Sequence, residues 1–466
     1  MSKKILLIRT DFASSLLTSI DPPLGILSLS AMIKREFNSK IQVRIRDLRF
    51  EHQNEDTLKT DLLDWQPDIV GFSSLSAESE RTAYWCDFVR SVLPKAKVII
   101  GGPYVSAFPI ESIQKAKADV AFMRESERSL CAWLNCLLEG KPEHTVPGIV
   151  LWNEKGAPYI TAPHEMIDDI STLPMPDWDA INFEDYFDGP SMNLVNADRK
   201  YTSISTSRGC PYNCVYCHHT QGKKVRYRDL KLVMEEISYL YHKYGIREFQ
   251  IVDDIFNINK ERVLELRDLL KESGMKIHIS FPNGVRTDVL DEETIDALIE
   301  SGTYSICFAL EAASPRIQKL IKKNLDLEKA EKMIRYAYNR GVITKGFFMM
   351  GFVTETEEEV KQTVKFAINL PLLHAAFFTV AVQQNTELYE ITKRHDPTFT
   401  VSKDSNYYGN LPSYINYDLP SIQKKAYLHF YLGSFRLFTY FYRFPRKLQF
   451  LKAVARAGKD VLLNMK

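Results

Sequence analysis

Short apolar runs separated by amphipathic stretches set the rhythm of the chain. In its first third, KKILLIRT (3–10), QVRIRDL (42–48), IVGFSSLS (69–76), KVIIGGP (97–103) and VAFMRES (120–126) are short runs, most of them with Ile and Val at their centre. Runs of this length and composition read as strands. Helical patterns fill the intervals, so residues 1–140 predict five parallel strands in a doubly wound, flavodoxin-like sheet.

A second α/β rhythm follows. TSISTSRGC (202–210), EFQIVDD (248–254), KIHISFPNGVR (276–286), YSICFALE (304–311), ITKGFFMMGF (343–352) and AFFTVAVQQNT (376–386) predict six strands. The segments between them, such as RDLKLVMEEISYLYHKYG and NKERVLELRDLLKESG, repeat apolar residues near i, i+3 and i+4 and end at glycine, as capped helices do. Six such units over residues 200–390 predict a partial (βα)6 barrel, an α/β architecture whose ligand-binding residues gather at the C-terminal ends of the strands. Residues 141–199, rich in proline, read as a hairpin and an extended linker across the barrel, anchored by Trp178, Phe183, Tyr186 and Phe187. Residues 391–466 read as a C-terminal helical segment, whose stretch from Ser421 to Lys466 reads as two helices meeting at Pro445.

Composition narrows the class. The chain has 466 residues, 45% of them hydrophobic, enough for roughly two or three domains with their own cores. Its 60 basic and 59 acidic residues give no support to wholesale nucleic-acid binding. The N-terminal MSKKILLIRTDF holds too short an apolar run for a signal peptide, and no later run approaches a membrane span, so a cytoplasmic protein is expected. Seven cysteines, an odd number with three bunched together, argue against a disulfide framework and for metal or redox chemistry.

The bunched cysteines lie in SRGCPYNCVYCHH, at Cys210, Cys214 and Cys217. Four thiolates would enclose zinc or a simple electron-transfer cluster, whereas three on a four-iron cluster leave one iron open to a substrate or cofactor. Gly209 and Pro211 suit a tight loop whose amides approach cluster sulfides. The competing reading is zinc completed by Cys307, His218 or His219, in a metal-stabilised binding protein. The Cys-x3-Cys-x2-Cys spacing departs from the paired Cys-x2-Cys of zinc sites.

CPYNCVYC resembles the Cys-x3-Cys-x-aromatic-Cys signature of the radical S-adenosylmethionine (SAM) superfamily. The resemblance implies that Cys210, Cys214 and Cys217 hold a [4Fe-4S] cluster, that SAM chelates the open iron, and that an electron from the reduced cluster cleaves it to a 5′-deoxyadenosyl radical. It places Tyr216 against the adenine, and Asp253, Asp254, Arg286, Glu311 and Gly351, all at strand ends, around the rest of SAM. GFVTETEEEV matches a family stretch but carries Val353 where proline is common.

Ahead of such a core, DPPLGILSLSAMI, DIVGFSSLS, VIIGGPYVSAFP and ADVAFMRESERSL resemble the cobalamin-binding domain of the family's methyltransferase-like branch. This implies corrinoid contacts at Leu24, Gly25, Ser73, Ser74, Gly101, Gly102, Pro103 and Glu125. Two departures stand out. No Asp-x-His-x-x-Gly offers a histidine to cobalt, and Arg124 and Ser126 replace the glycines of a frequent Gly-Glu-Gly-Glu.

The resemblance implies a cobalamin-dependent radical enzyme that methylates an unactivated carbon, with ring contraction, cyclisation or rearrangement as the alternative. Its partners are a small-molecule, lipid or peptide substrate and an electron donor. The segment Ser421 to Lys466 holds ten Lys and Arg residues against one acidic residue, Asp460, interleaved with aromatics. It reads either as a packed cap or as a peripheral contact with anionic lipid.

Overall fold

A computed structural model describes residues 2–12, 19–163, 165–187, 189–193, 195–401 and 412–463, with side chains to residue 455. The chain forms two compact units. One comprises residues 1–189 and 219–232, the other residues 190–218 and 233–466.

In the N-terminal unit the five parallel strands form as the apolar runs predict. The strand order is Ile41–Asp47, Lys3–Arg9, Ile69–Ser73, Lys97–Gly101, Val120–Phe122, the order of a flavodoxin-like sheet. Both faces are covered: Leu6, Ile8, Val70 and Phe72 pack on one side, Ile5, Leu7, Ile69 and Ile99 on the other. That two-sided burial is why these strands read as continuous apolar runs rather than alternating ones. The hairpin Ile149–Trp152 and Pro158–Ile160 extends this sheet antiparallel to Val120–Phe122. The linker aromatics Trp178, Phe183, Tyr186 and Phe187 are buried. Within the unit, the Tyr186 hydroxyl donates to Asp47 at 3.0 Å.

The second unit is built on six parallel strands in sequential order: Tyr201–Ile204, Glu248–Ile251, His278–Val285, Thr303–Glu311, Ile343–Met350 and His374–Thr379. Sequential order with a helical crossover at each step is the connectivity of an open βα barrel. Among the described residues the last strand has no seventh neighbour. Its free edge is met by side chains of helix Leu419–Leu432 instead: the Gln423 amide donates to Phe377 O at 2.6 Å, and the Tyr427 hydroxyl accepts from Phe377 N at 3.0 Å. An exposed edge is thereby closed without another strand. Among the described residues, the stretch expected to hold two helices forms three, Leu419–Leu432, Arg436–Arg443 and Lys447–Leu463. The additional break falls at Gly433, whose Cβ would come within 2.6 Å of His429 O. Side chains beyond residue 455, Asp460 among them, lie outside the described residues.

Candidate active site

The cysteine loop leaves the first strand of the six-stranded sheet through Thr206 and Ser207, and Asp253 at the end of the next strand fixes that exit. Its carboxylate accepts the Thr206 N–H, the Thr206 hydroxyl and the Ser207 hydroxyl, each at 2.6 Å. Burial raises this carboxyl above its ordinary range, and the surrounding donors pull it back. Gly209 follows with φ of 93°, a conformation that favours glycine. Its N–H donates to Asp254 at 3.1 Å, so the carboxylate next to Asp253 steadies the residue before Cys210. The middle of the loop is held by backbone bonds of Val215 to Ile321 and Leu388, at 3.1 and 2.8 Å. Cys210 and Cys214 are half-buried and Cys217 is exposed.

Cys307 is a different kind of thiol. It lies in strand Thr303–Glu311, 1% exposed, with its pKa raised by burial. Among the described residues, no three Cys, His, Asp or Glu side chains stand close enough to share one metal ion. The Nε2 of His218 is engaged by the Gln384 carbonyl at 2.7 Å.

The other strand ends converge on the same end of the sheet. Glu311 closes its strand with φ of 66°, an uncommon conformation for a non-glycine residue. Its carboxylate pairs with Lys323 at 3.0 Å and accepts the Tyr216 hydroxyl at 3.3 Å. Burial, and then the nearby Glu311 charge, raise the Tyr216 pKa. Arg286 forms an ion pair with Asp288 at 2.8 Å and donates to Lys323 O at 2.8 Å. Gly351, with φ of 89°, donates its N–H to Glu355 at 2.6 Å, and its carbonyl accepts the Tyr414 hydroxyl at 3.0 Å. A Cβ here would come within 2.8 Å of Leu419. Burial pushes the Glu355 carboxyl up to about 7. Val353, in the place where proline is common, is fully buried with Val215, Ala312 and Phe352.

Lys323, Asp288 and Glu355 were not singled out in the sequence. Lys323 lies in a surface-like KKN run, and only the fold turns it inward. Glu355 carried a signal in its spacing of four residues from Gly351.

In the N-terminal unit, Leu24 and Gly25 open helix Leu24–Phe37. Ser73 ends one strand and Gly101 ends its neighbour, with Ser74 and Gly102 just past them and Pro103 opening helix Pro103–Ala107. With Lys3–Arg9 lying between Ile41–Asp47 and Ile69–Ser73, the strand order reverses beside Ser73, which is where such sheets bind ligands. Gly25 is exposed, and a Cβ there meets nothing within 4 Å. That is room for a bulky group. Gly102 answers to the fold: its φ is 98° and a Cβ would lie 2.8 Å from Ser74 O. Ser74 is 1% exposed, with its hydroxyl 2.7 Å from that of Thr82. Glu125 is engaged within the protein, accepting from Arg226 at 2.6 Å and from the Ile167 N–H at 2.9 Å. Arg124, standing where glycine is frequent, adopts the left-handed φ of 55°, and its N–H donates to the Ser106 hydroxyl at 2.7 Å.

These arrangements agree with what the chain resembles. A family model for the radical SAM superfamily matches residues 204–367, and one for the B12 binding domain matches residues 17–134. An uncharacterized methyltransferase of Pyrococcus horikoshii is 28% identical over 420 residues, 88% of each chain. The cytidylyl-2-hydroxyethylphosphonate methyltransferase of Streptomyces wedmorensis is 28% identical over 373 residues, covering 73% of this chain and 69% of that protein. The fold is that of the radical SAM methyltransferase TsrM from Kitasatospora setae, solved with cobalamin and a [4Fe-4S] cluster bound. The TM-score is 0.66 at 19% identity, over 86% of this chain and 76% of that one. With a three-cysteine loop at the strand ends of one unit and a B12-binding sheet as the other, the chain belongs to the cobalamin-dependent radical SAM enzymes.

Proposed function

We propose that this enzyme methylates an unactivated carbon of a small-molecule, lipid or peptide substrate. The observation that carries the reading is the pairing, in one chain, of exactly three clustered thiols at the mouth of a parallel barrel with a doubly wound B12-binding sheet. When bound, the reduced cluster and SAM supply a 5′-deoxyadenosyl radical that removes hydrogen, and cobalamin supplies the methyl group.

The chain's own residues set up this chemistry. Cys210, Cys214 and Cys217 ligate the cluster, and Asp253 with Asp254 holds their loop to the sheet. Tyr216, Asp254, Glu311 and Gly351 border the SAM site, with Lys323 neutralising Glu311. Leu24, Gly25, Ser73, Ser74, Gly101 and Pro103 line the corrinoid site. Glu125, engaged by Arg226, ties its loop to residues 219–232. An external donor supplies the electron.

The test is anaerobic turnover of reconstituted enzyme with methyl-labelled SAM, a reductant and candidate substrates. Label in a product, together with 5′-deoxyadenosine, supports methylation, and Cys214→Ala should abolish both. 5′-Deoxyadenosine with product but no label would replace methylation by rearrangement or cyclisation.

A further inference from the structure

The C-terminal helices expose an apolar surface that neither the barrel nor its cofactors account for. Among the described residues, seven large apolar side chains that face solvent fall between Leu428 and Leu451, and the other seven are spread singly over residues 63–192. Their exposure is extreme: Phe435 85%, Tyr442 75%, Leu448 74% and Leu432 73%. They follow helical spacing, with Leu428 and Leu432 on one helix, Phe438 and Tyr442 on the next behind its capping residue Phe435, and Leu448 and Leu451 on the third. The opposite faces pay no part in this surface, because Phe430, Tyr440, Phe444 and Phe450 are buried against the unit. Exposed large apolar side chains concentrated in one short stretch of chain mark an interaction site.

Charge decides the partner. No acidic residue occurs from Leu419 to Lys459. Four of the basic side chains serve the fold: Arg436 donates to Leu372 O, Arg443 to Tyr338 O, Arg446 to Asp198 O and Lys447 to Phe441 O. Lys424, Lys425 and Lys452 are left exposed on the same helices as the apolar row. A two-fold interface between copies sets the same patch against itself, lysines against lysines. An anionic bilayer instead accepts Phe, Tyr and Leu between its headgroups while lysine amines reach the phosphates. No helix among the described residues is long and apolar enough to cross a membrane, so the contact is peripheral. We propose that the three C-terminal helices dock the enzyme on an anionic lipid surface.

The experiment is sedimentation of the full-length, cluster-reconstituted enzyme with phosphatidylglycerol or phosphatidylcholine vesicles at low and high salt. The enzyme should pellet with phosphatidylglycerol at low salt and be released by salt. Each of Lys424→Gln, Lys425→Gln and Lys452→Gln should weaken partitioning roughly fivefold, about a hundredfold together. Phe435→Ser with Phe438→Ser should abolish binding while keeping wild-type iron content, because both side chains already face solvent. No binding to phosphatidylglycerol, or equal binding by these variants, overturns the proposal. So does a concentration-dependent dimer, seen by ultracentrifugation, that Phe435→Ser dissociates in the absence of any vesicle binding.

Discussion

The guanidinium of Arg286 lies 3.6 Å from the centre of the Tyr212 ring, stacking a strand-end arginine on the tyrosine between Cys210 and Cys214. The same group is held by Asp288 and by the Lys323 carbonyl. Arg286 is therefore a clamp on the cluster loop: its planar cation covers an aromatic face while its edges make hydrogen bonds. Lysine has no such plane. Arg286→Lys should lower the iron retained per chain after anaerobic reconstitution and gel filtration, with SAM binding falling in proportion. Full iron content with weakened SAM binding would make Arg286 a direct SAM contact instead, as the family resemblance alone implies.

The two glycines of the B12-binding sheet should behave differently. Gly102→Ala forces a Cβ against Ser74 O at a φ of 98°. Strain of this kind costs about 1–3 kcal/mol, so the apo-protein should melt lower whether or not corrinoid is present. Gly25 has open space around it. Gly25→Trp should leave apo-protein melting near wild type while corrinoid absorbance after reconstitution falls. Retention of stoichiometric corrinoid by Gly25→Trp would remove helix Leu24–Phe37 from the binding site.

This contrast shows what the chain's pattern could and could not disclose. Strands were legible because two-sided burial demands unbroken apolar runs, and the cysteine loop because its spacing is local. The demand the fold makes on Gly102 was not legible, since nothing in its neighbours reveals Ser74 beside it. The same holds for the packing of Arg286: Tyr212 lies 74 positions earlier in the chain, and only closure of the barrel stacks the two. The break at Gly433 went unread because its aromatic surroundings continue the helical pattern on both sides.

The pair of Glu125 and Arg226 is another long-range tie. Its atoms are 2.6 Å apart, and the side chains are 5% and 3% exposed. Arg226 also donates to the carbonyls of Ile167 and Gln221. Removing one partner strands a buried charge, a loss of about 3–5 kcal/mol. Arg226→Met should therefore destabilise the protein in urea by that order. The double variant with Glu125→Leu should recover part of the loss, because both charges are then gone. If the double variant is worse than the sum of the single changes, the pair acts through the carbonyls of Ile167 and Gln221 rather than as an ion pair.

The last prediction concerns the end of the barrel opposite the cysteines, where Glu248 begins its strand fully buried. It accepts the Asp198 N–H at 2.9 Å and the Tyr304 hydroxyl at 2.7 Å. Burial pushes its carboxyl up to about 7 from 4.5. Between those values the folded protein keeps the proton that the unfolded chain releases, so this group's contribution is complete below about pH 4.5 and is lost as pH rises to about 7. His374 opposes it. Burial lowers its pKa to about 3 from 6.5, and its Nδ1 lies 2.7 Å from the Tyr431 hydroxyl. Across that interval the unfolded chain binds the histidine proton and the folded one does not, so stability rises with pH. Between pH 4.5 and 6.5 the two slopes run in opposite directions. Glu248→Gln removes the falling one, and its stability relative to wild type should grow by about 3 kcal/mol between pH 4.5 and 7. Urea unfolding at several pH values measures this. A difference between the two proteins that stays constant with pH would mean that Glu248 is ionised in the folded barrel, with Lys345, whose Nζ lies 2.6 Å from Asn193 Oδ1, as its nearest buried cation.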